Sequence, residues 1–273
     1  MGEFVRIVRY DALCGLASWR WLAVPAVFAL ACWNEVSSLL AQKGRAPVNA
    51  WDGPLSMLQD QPLVIFVLGL GFLVVAGDRY SQDRSRGTVA LTIIRTRSRT
   101  AWWLGRVASA GVLALAFSAL GLGSALLTSA IRLPLELGPS VAAQVPSDMK
   151  GALYPSFDGL PMPVFFGFVV LYTALALWPL GALILAASVL RPAPYVPIGI
   201  AMLWVLLEAV ALPSLALRGG GSADPFYHLF FAIHFQTPSG ADPASWPWSA
   251  LVISAALGLA GAVGALTLRR SDV

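Results

Sequence analysis

The stretch GDRYSQDRSRGTVALTIIRTRSRTAWWLGR, residues 77–106, decides how this chain is read. It holds seven of the sixteen arginines (Arg79, Arg84, Arg86, Arg95, Arg97, Arg99 and Arg106), and long apolar runs flank it on both sides. A basic connector between two membrane spans belongs on the cytoplasmic face. Gly87 breaks one helix, and Thr88 is placed to cap the next. The apolar run 89–94 is long enough for about one and a half helical turns, with Leu91 and Ile94 on one side. So short a helix does not sustain itself and has to dock on something.

Composition makes the bilayer the solvent. The 273 residues are 58% apolar and 12% charged, with a mean hydropathy of +0.73, whereas soluble domains carry about 25% charged residues. Apolar runs of about 20 residues are needed for each spanning helix. Six are read here: 21–40, 62–77, 105–131, 163–190, 195–217 and 248–268. The second is short and has to extend or thin the bilayer locally. Runs such as LVIFVLGLGFLVVAG lack the alternation of a membrane β-barrel, so helices are expected. With both termini in the cytoplasm, the inside holds thirteen cations (Arg6, Arg9, Arg20, the seven connector arginines, Arg191, Arg269, Arg270) and the outside five (Lys43, Arg45, Arg132, Lys150, Arg218). That asymmetry sets the orientation. It also accounts for the basic balance better than nucleic acid does, since no basic–aromatic surface is present.

The whole chain, 1–273, reads as a single membrane domain. Residues 2–18 are too charged to span. Val5, Val8, Ala12 and Leu16 recur at helical spacing beside Glu3, Arg6 and Arg9, as in a helix lying among lipid headgroups with its arginines toward anionic lipid. A cytoplasmic extension of the first span is the alternative. Arg6, Arg9 and Arg20 before an apolar stretch ending at Ala31 also resemble a cleavable signal peptide, and cleavage would leave the later topology unchanged. Asn34 and Glu35 follow Trp33, an interfacial anchor, and the loop from that span to Asp60 reads as an outer one. Residues 132–162, with five prolines, read as a second one. Cys14 and Cys32 read as small buried apolar residues without a disulfide or metal role.

The connector supplies the sharpest motif: Asp83, Arg86-Gly87-Thr88, Ile93-Ile94, Ser98-Arg99 and Leu104-Gly105-Arg106. This spacing resembles the permease subunits of ABC-2 type transporters. A proline usual before the serine is absent, and Arg106 stands where a lysine is usual. The likeness is sharp over about thirty residues and looser over the six-span layout, the interfacial helix and the apolar outer segment. It implies an all-α membrane permease in the inner membrane of a bacterium. A second permease subunit, identical or not, would complete the pathway. Cytoplasmic ABC ATPase subunits would bind ATP and Mg, and their cleft would receive the connector helix. On that reading Asp83, Arg86, Gly87, Thr88, Leu91, Ile94, Ser98 and Arg99, within the hairpin 78–104, couple the ATPase to the spans. This chain itself has no GxxxxGK phosphate loop, no catalytic residues and no cofactor of its own. The cargo implied is amphipathic or hydrophobic: a lipid, a drug or a peptide antibiotic. A basic loop without a partner is the plainer alternative.

Elsewhere the signals are thinner. Glu208 is the only acid deep in an expected span, as a pathway charge or as an acid held near the outer end. Residues 218–247 open on three glycines and contain DPFYHLFFAIHF, which is too short to span and predicts a re-entrant or interfacial helix. Its Phe230 and Phe231 are a candidate outer gate, or an anchor at the headgroup boundary. His228 and His234 lack metal-ligand spacing and read as interfacial packing. Gly69, Gly71, Gly121 and Gly123 are read as allowing close helix approach, without GxxxG spacing. An accessory or sensor protein of the same fold stays open. An ion-coupled transporter would show inverted repeats. An intramembrane enzyme would show paired acids, metal ligands or a Ser/His dyad.

Overall fold

The computed structural model describes residues 2–41, 48–76, 83, 87–94, 96, 98–140, 160–190, 196, 199–207, 223–234 and 245–270. Regular structure is helical throughout, with no strand among the described residues. Eight helices are named here: α1 Gly2–Leu16, α2 Ala23–Ala41, α3 Asp52–Met57, α4 Leu63–Ala76, α5 Thr88–Ile94, α6 Arg99–Ala130, α7 Met162–Leu190 and α8 Trp246–Arg270. Residues 199–207 are also helical.

Among the described residues, four helices are long and apolar enough to cross a membrane: Trp19–Ala41, Arg99–Ala130, Met162–Leu190 and Trp246–Arg269. They coincide with the expected first, third, fourth and sixth spans. The expected second span is the shorter apolar α4, whose first part, Leu63–Leu70, is wound as a π-helix. Of the expected fifth, 196 and 199–207 are helical, and the remainder, Glu208 included, lies outside the described residues.

Helix α6 is the axis of the molecule and touches α1, α2, α3, α4, α7 and α8. Phe117 of α6 sits in a ring cluster with Phe28 of α2 and Phe72 of α4, both 5.5 Å away centroid to centroid, and with Trp21 at 6.4 Å. These edge-on contacts match the quadrupoles of the rings. Glycines receive the rings: a Cβ on Gly121 would meet Phe28, one on Gly181 Phe72, one on Gly111 Trp178, and one on Gly264 would overlap Trp103. The expected close approach at Gly69, Gly71 and Gly121 is thus to side chains, Phe226, Phe117 and Phe28, and Gly123 has nothing near it. Indole N–H groups add a second set of joints. Trp103 donates to the carbonyls of Ala260 and Gly261, Trp178 to Val107 at 2.7 Å, and Trp21 to Gly15 at 2.9 Å. Each buried indole donor thereby finds a second lone pair on a main-chain oxygen. Pro179 stays inside α7, as membrane helices allow when neighbours satisfy the freed backbone.

The molecule has two distinct ends. Helices α1 and α5, the start of α6 and the finish of α8 share one, the connector end. The far end gathers α3, the finish of α2 and α6, and the start of α7 and α8. There the expected plain loop up to Asp60 is corrected, because α3 is a buried helix. Residues 49–52 knit to 134–140: Asn49 Nδ2 donates to the Gly138 carbonyl, Trp51 Nε1 to Glu136, and Ala50 N to Pro134. Cys14 is a second correction. It is exposed on the outward side of α1, while Cys32 is buried and donates to the Ala125 carbonyl.

Asp52 is fully buried and accepts from the Asn49 amide and the Ser140 hydroxyl. Its carboxyl is pushed up to about 6 from 3.8, because burial opposes the anion more than those two donors favour it. A folded-state value above the unfolded one means full stability below the unfolded value and loss as pH rises through the folded one. Stability should therefore fall on the order of 2–3 kcal/mol between pH 4 and 7, at ~1.4 kcal/mol per unit, and Asp52→Asn should flatten that step in thermal unfolding. A step of undiminished size in the variant would assign it elsewhere. Separately, Gly264→Val should cost roughly 1–3 kcal/mol by forcing Trp103 off α8. Gly258→Ala, where nothing lies within 4 Å, should leave the melting temperature unchanged or raised.

Candidate functional site

The connector motif folds around one guanidinium. Arg106, on the first turns of α6, is buried, and its Nη2 pairs with two carboxylates. One is Asp11 of α1, with Oδ1 at 3.0 Å; the other is Asp83 of the connector. The Ser109 hydroxyl, one helical turn on, donates to the second oxygen of Asp11 and lies 2.8 Å from the Arg106 carbonyl. The Trp102 ring covers the guanidinium, with Cζ 5.1 Å from its centroid. A buried cation, the buried Asp11 carboxylate and the half-buried Asp83 carboxylate therefore join α1, the connector and α6 at a single nitrogen. Arginine suits this place because it stays charged and its planar group stacks on a ring.

Other motif residues carry the geometry around that ion triad. The Thr88 hydroxyl donates to the Asp83 carbonyl at 2.9 Å. Thr88 was expected as a cap for α5; its hydroxyl instead closes the turn back to Asp83, so one residue is held by carboxylate and carbonyl alike. Gly87 between them has φ +70°, a region where glycine carries no strain. Ser98 caps α6, its hydroxyl accepting from Ala101 N at 3.3 Å. Arg99 Nη1 donates at 3.0 Å to the Leu268 carbonyl at the finish of α8, where a cation also suits the helix dipole. Gly105 lets Ile7 of α1 press on α6: a Cβ there would lie 2.6 Å from Ile7 Cγ2. Ile7 and Asp11 are one turn apart on α1, so the same face carries the notch contact and the ion pair.

Helix α5 docks, as a short helix has to. It does so through Val89 and Ile93, which pack among Trp102, Trp103, Val107 and Leu268. The backbone of Leu91 and Ile94 lies in α5, but their side chains, and all of Arg86, fall outside the described residues, as do Arg79, Arg84, Arg95 and Arg97. Sequence reasoning missed Asp11, whose signal was a single acid in the otherwise apolar or basic run 4–16 of α1. On α1 the expected stripe divides: Ala12 is buried, while Val5 and Leu16 are exposed together with Phe4, Tyr10 and Leu13.

The chain matches no protein-family model and no curated protein. Its own geometry therefore carries the functional argument.

At the far end, DPFYHLFFAIHF does not form one helix. It makes two 3-10 turns, Tyr227–Leu229 and Phe231–His234, separated by Phe230 in extended backbone. Residues 226–231 and His234 are buried within the chain. Phe226 seats on Gly69, and Phe231 lies among Phe165, Phe168, Tyr172 and Trp246. Both histidines are buried and lie beside Tyr172 and Ser249. The Ser249–His228 pair is the hydroxyl–imidazole pairing that an intramembrane enzyme would need, brought together from positions 21 apart in sequence. Both members of the pair are buried. No group of three or more metal-ligating side chains occurs among the described residues.

Removing the cation should release both partners. Arg106→Met leaves the buried Asp11 carboxylate without its cation and should cost about 3–5 kcal/mol. Asp83→Asn should accelerate amide exchange in Thr88–Ile94 by about tenfold, and Asp11→Asn should do the same in Gly2–Leu16. Wild-type exchange in both segments would show that the triad does not tether them.

Proposed function

We propose that this chain is the permease subunit of an ATP-binding cassette exporter of the ABC-2 type, with six spans and both termini in the cytoplasm of a bacterium. The single observation that carries the reading is the bracing of α5. A seven-residue helix follows a positive-φ glycine and is tied through Asp83 and Arg106 to the start of the longest span. A displacement imposed on α5 is then delivered to α6 and, through Asp11, to α1. Such a part has use where a soluble partner pushes from outside the bilayer.

In this reading, separate ABC ATPase subunits carry ATP and Mg and grip the connector. Val89 and Ile93 hold α5 to its own chain. At about 100° per residue, position 91 falls on the opposite side of the helix, where a partner would meet it. A second permease subunit, the same or a sibling, completes the pathway, and Glu208 and the segment around Phe230 and Phe231 belong to that pathway and its outer mouth. The cargo is an amphipathic or hydrophobic molecule, a lipid, a drug or a peptide antibiotic, and this chain is not itself an enzyme. The support is the resemblance of the connector motif together with the ion triad that braces it; an accessory protein of the same fold would keep the bracing without the ATPase.

Purification from native membranes should bring down an associated Mg-dependent ATPase activity. Leu91→Asp with Ile94→Asp should remove it by tenfold or more while the permease keeps its elution profile and melting temperature. Undiminished ATPase in the double variant, or none with the wild-type chain, overturns the coupling role.

A further inference from the structure

We propose that Tyr172, His228, Ser249 and His234 form a hydrogen-bonded latch that holds the aromatic segment 226–234 as a releasable strap across the far ends of α7 and α8. This goes beyond the transport reading, since the latch stands whatever drives the chain and whatever it carries.

Counting protons gives the latch its direction. The Tyr172 hydroxyl has one proton, and the His228 carbonyl, 2.8 Å away, can only accept it. Toward Nε2 of His234, at 2.9 Å, the phenol oxygen is therefore the acceptor, so His234 carries its proton on Nε2. Ser249 lies 2.8 Å from Nδ1 of His228 and 3.4 Å from Nε2 of His234. The His234 ring is stacked flat on Trp246, 3.7 Å between centroids and 6° between planes. Every one of these contacts crosses from the segment to a spanning helix: Tyr172 belongs to α7, and Trp246 and Ser249 to α8.

The segment has little of its own to hold it. Its two 3-10 turns contribute short-range bonds such as Leu229 N to Phe226 O and Phe230 N to Tyr227 O, and single 3-10 turns have poor hydrogen-bond geometry. Its rings rest in seats, Phe226 against Gly69 and Trp204, and Phe231 against Phe165 and Phe168. Burial lifts the Tyr227 hydroxyl above its ordinary titration range, in keeping with a dry seat. The ring seats fix where the segment lies, whereas the polar bonds exchange readily for water. A strap with apolar seats and a polar latch closes in one place and opens when the latch bonds are exchanged.

The experiment is amide exchange read by mass spectrometry on the purified chain in lipid nanodiscs. Tyr172→Phe keeps the ring and deletes the hydroxyl. It should speed exchange across 226–234 by about tenfold while peptides from α7 and α8 stay at wild type. His234→Leu should do the same. His234→Gln, whose amide N–H can still donate to Tyr172, should keep most of the protection. If Tyr172→Phe leaves the segment at wild-type exchange, the ring seats alone hold it and the latch is wrong. If exchange rises equally through α7 and α8, or if His234→Gln behaves as His234→Leu does, the four residues are ordinary core and no strap exists.

Discussion

A guanidinium taken out of water has to be neutralised where it lies, and Arg106 is buried at the start of α6. The penalty for an unpaired ion in such a place is several kcal/mol, on the order of the whole stability of a small domain. Two carboxylates answer it, from two separate earlier parts of the sequence: Asp11 from α1, Asp83 from the connector. Because both meet one nitrogen, neither segment can shift along α6 without uncovering charge. The Ile7 side chain in the Gly105 notch fixes the same register by shape. The rest of the connector is arranged around that point, with Thr88 and Gly87 turning the chain into α5 and Ser98 and Arg99 starting α6 and tying it to α8.

The two ends of the molecule are held by different physics. The connector end is ionic, with Arg106 paired to Asp11 and Asp83 under the Trp102 ring. The far end is held by hydrogen bonds, those of Asn49, Trp51 and Ser140 to Asp52 and the 134–138 carbonyls on one side and those among Tyr172, His228, Ser249 and His234 on the other. Between them the helices meet through rings set on glycines and indole N–H groups set on carbonyls. Such joints give the indole donors a partner in an apolar interior. They also make the packing depend on shape at a few positions, since a ring and a missing Cβ fit in only one register.

Several parts of this were legible before any coordinates. Long apolar runs announced four spanning helices to within a few residues, and the break at Gly87 and the short helix after it were readable from the motif. What could not be read was the employment of particular side chains. Thr88 read as a helix cap because threonine before an apolar turn usually is one, yet its hydroxyl finds the Asp83 carbonyl. The sequence DGPLSM of α3 carries glycine and proline and reads as loop; its helix exists because Asn49, Asp52 and the 134–140 segment hold it. His228 and His234 read as boundary residues because nothing near them in sequence is a partner. Their partner Tyr172 is 56 and 62 positions away.

Hydropathy and charge belong to a residue whatever it touches, so apolar helices and a connector rich in arginine were readable from the chain alone. That Asp11 and Asp83 share Arg106, that the glycines receive rings rather than helices, and that Tyr172 joins two histidines emerge only on folding. Those are relations between distant positions, and desolvation, which makes each pairing compulsory, acts only once the helices have come together.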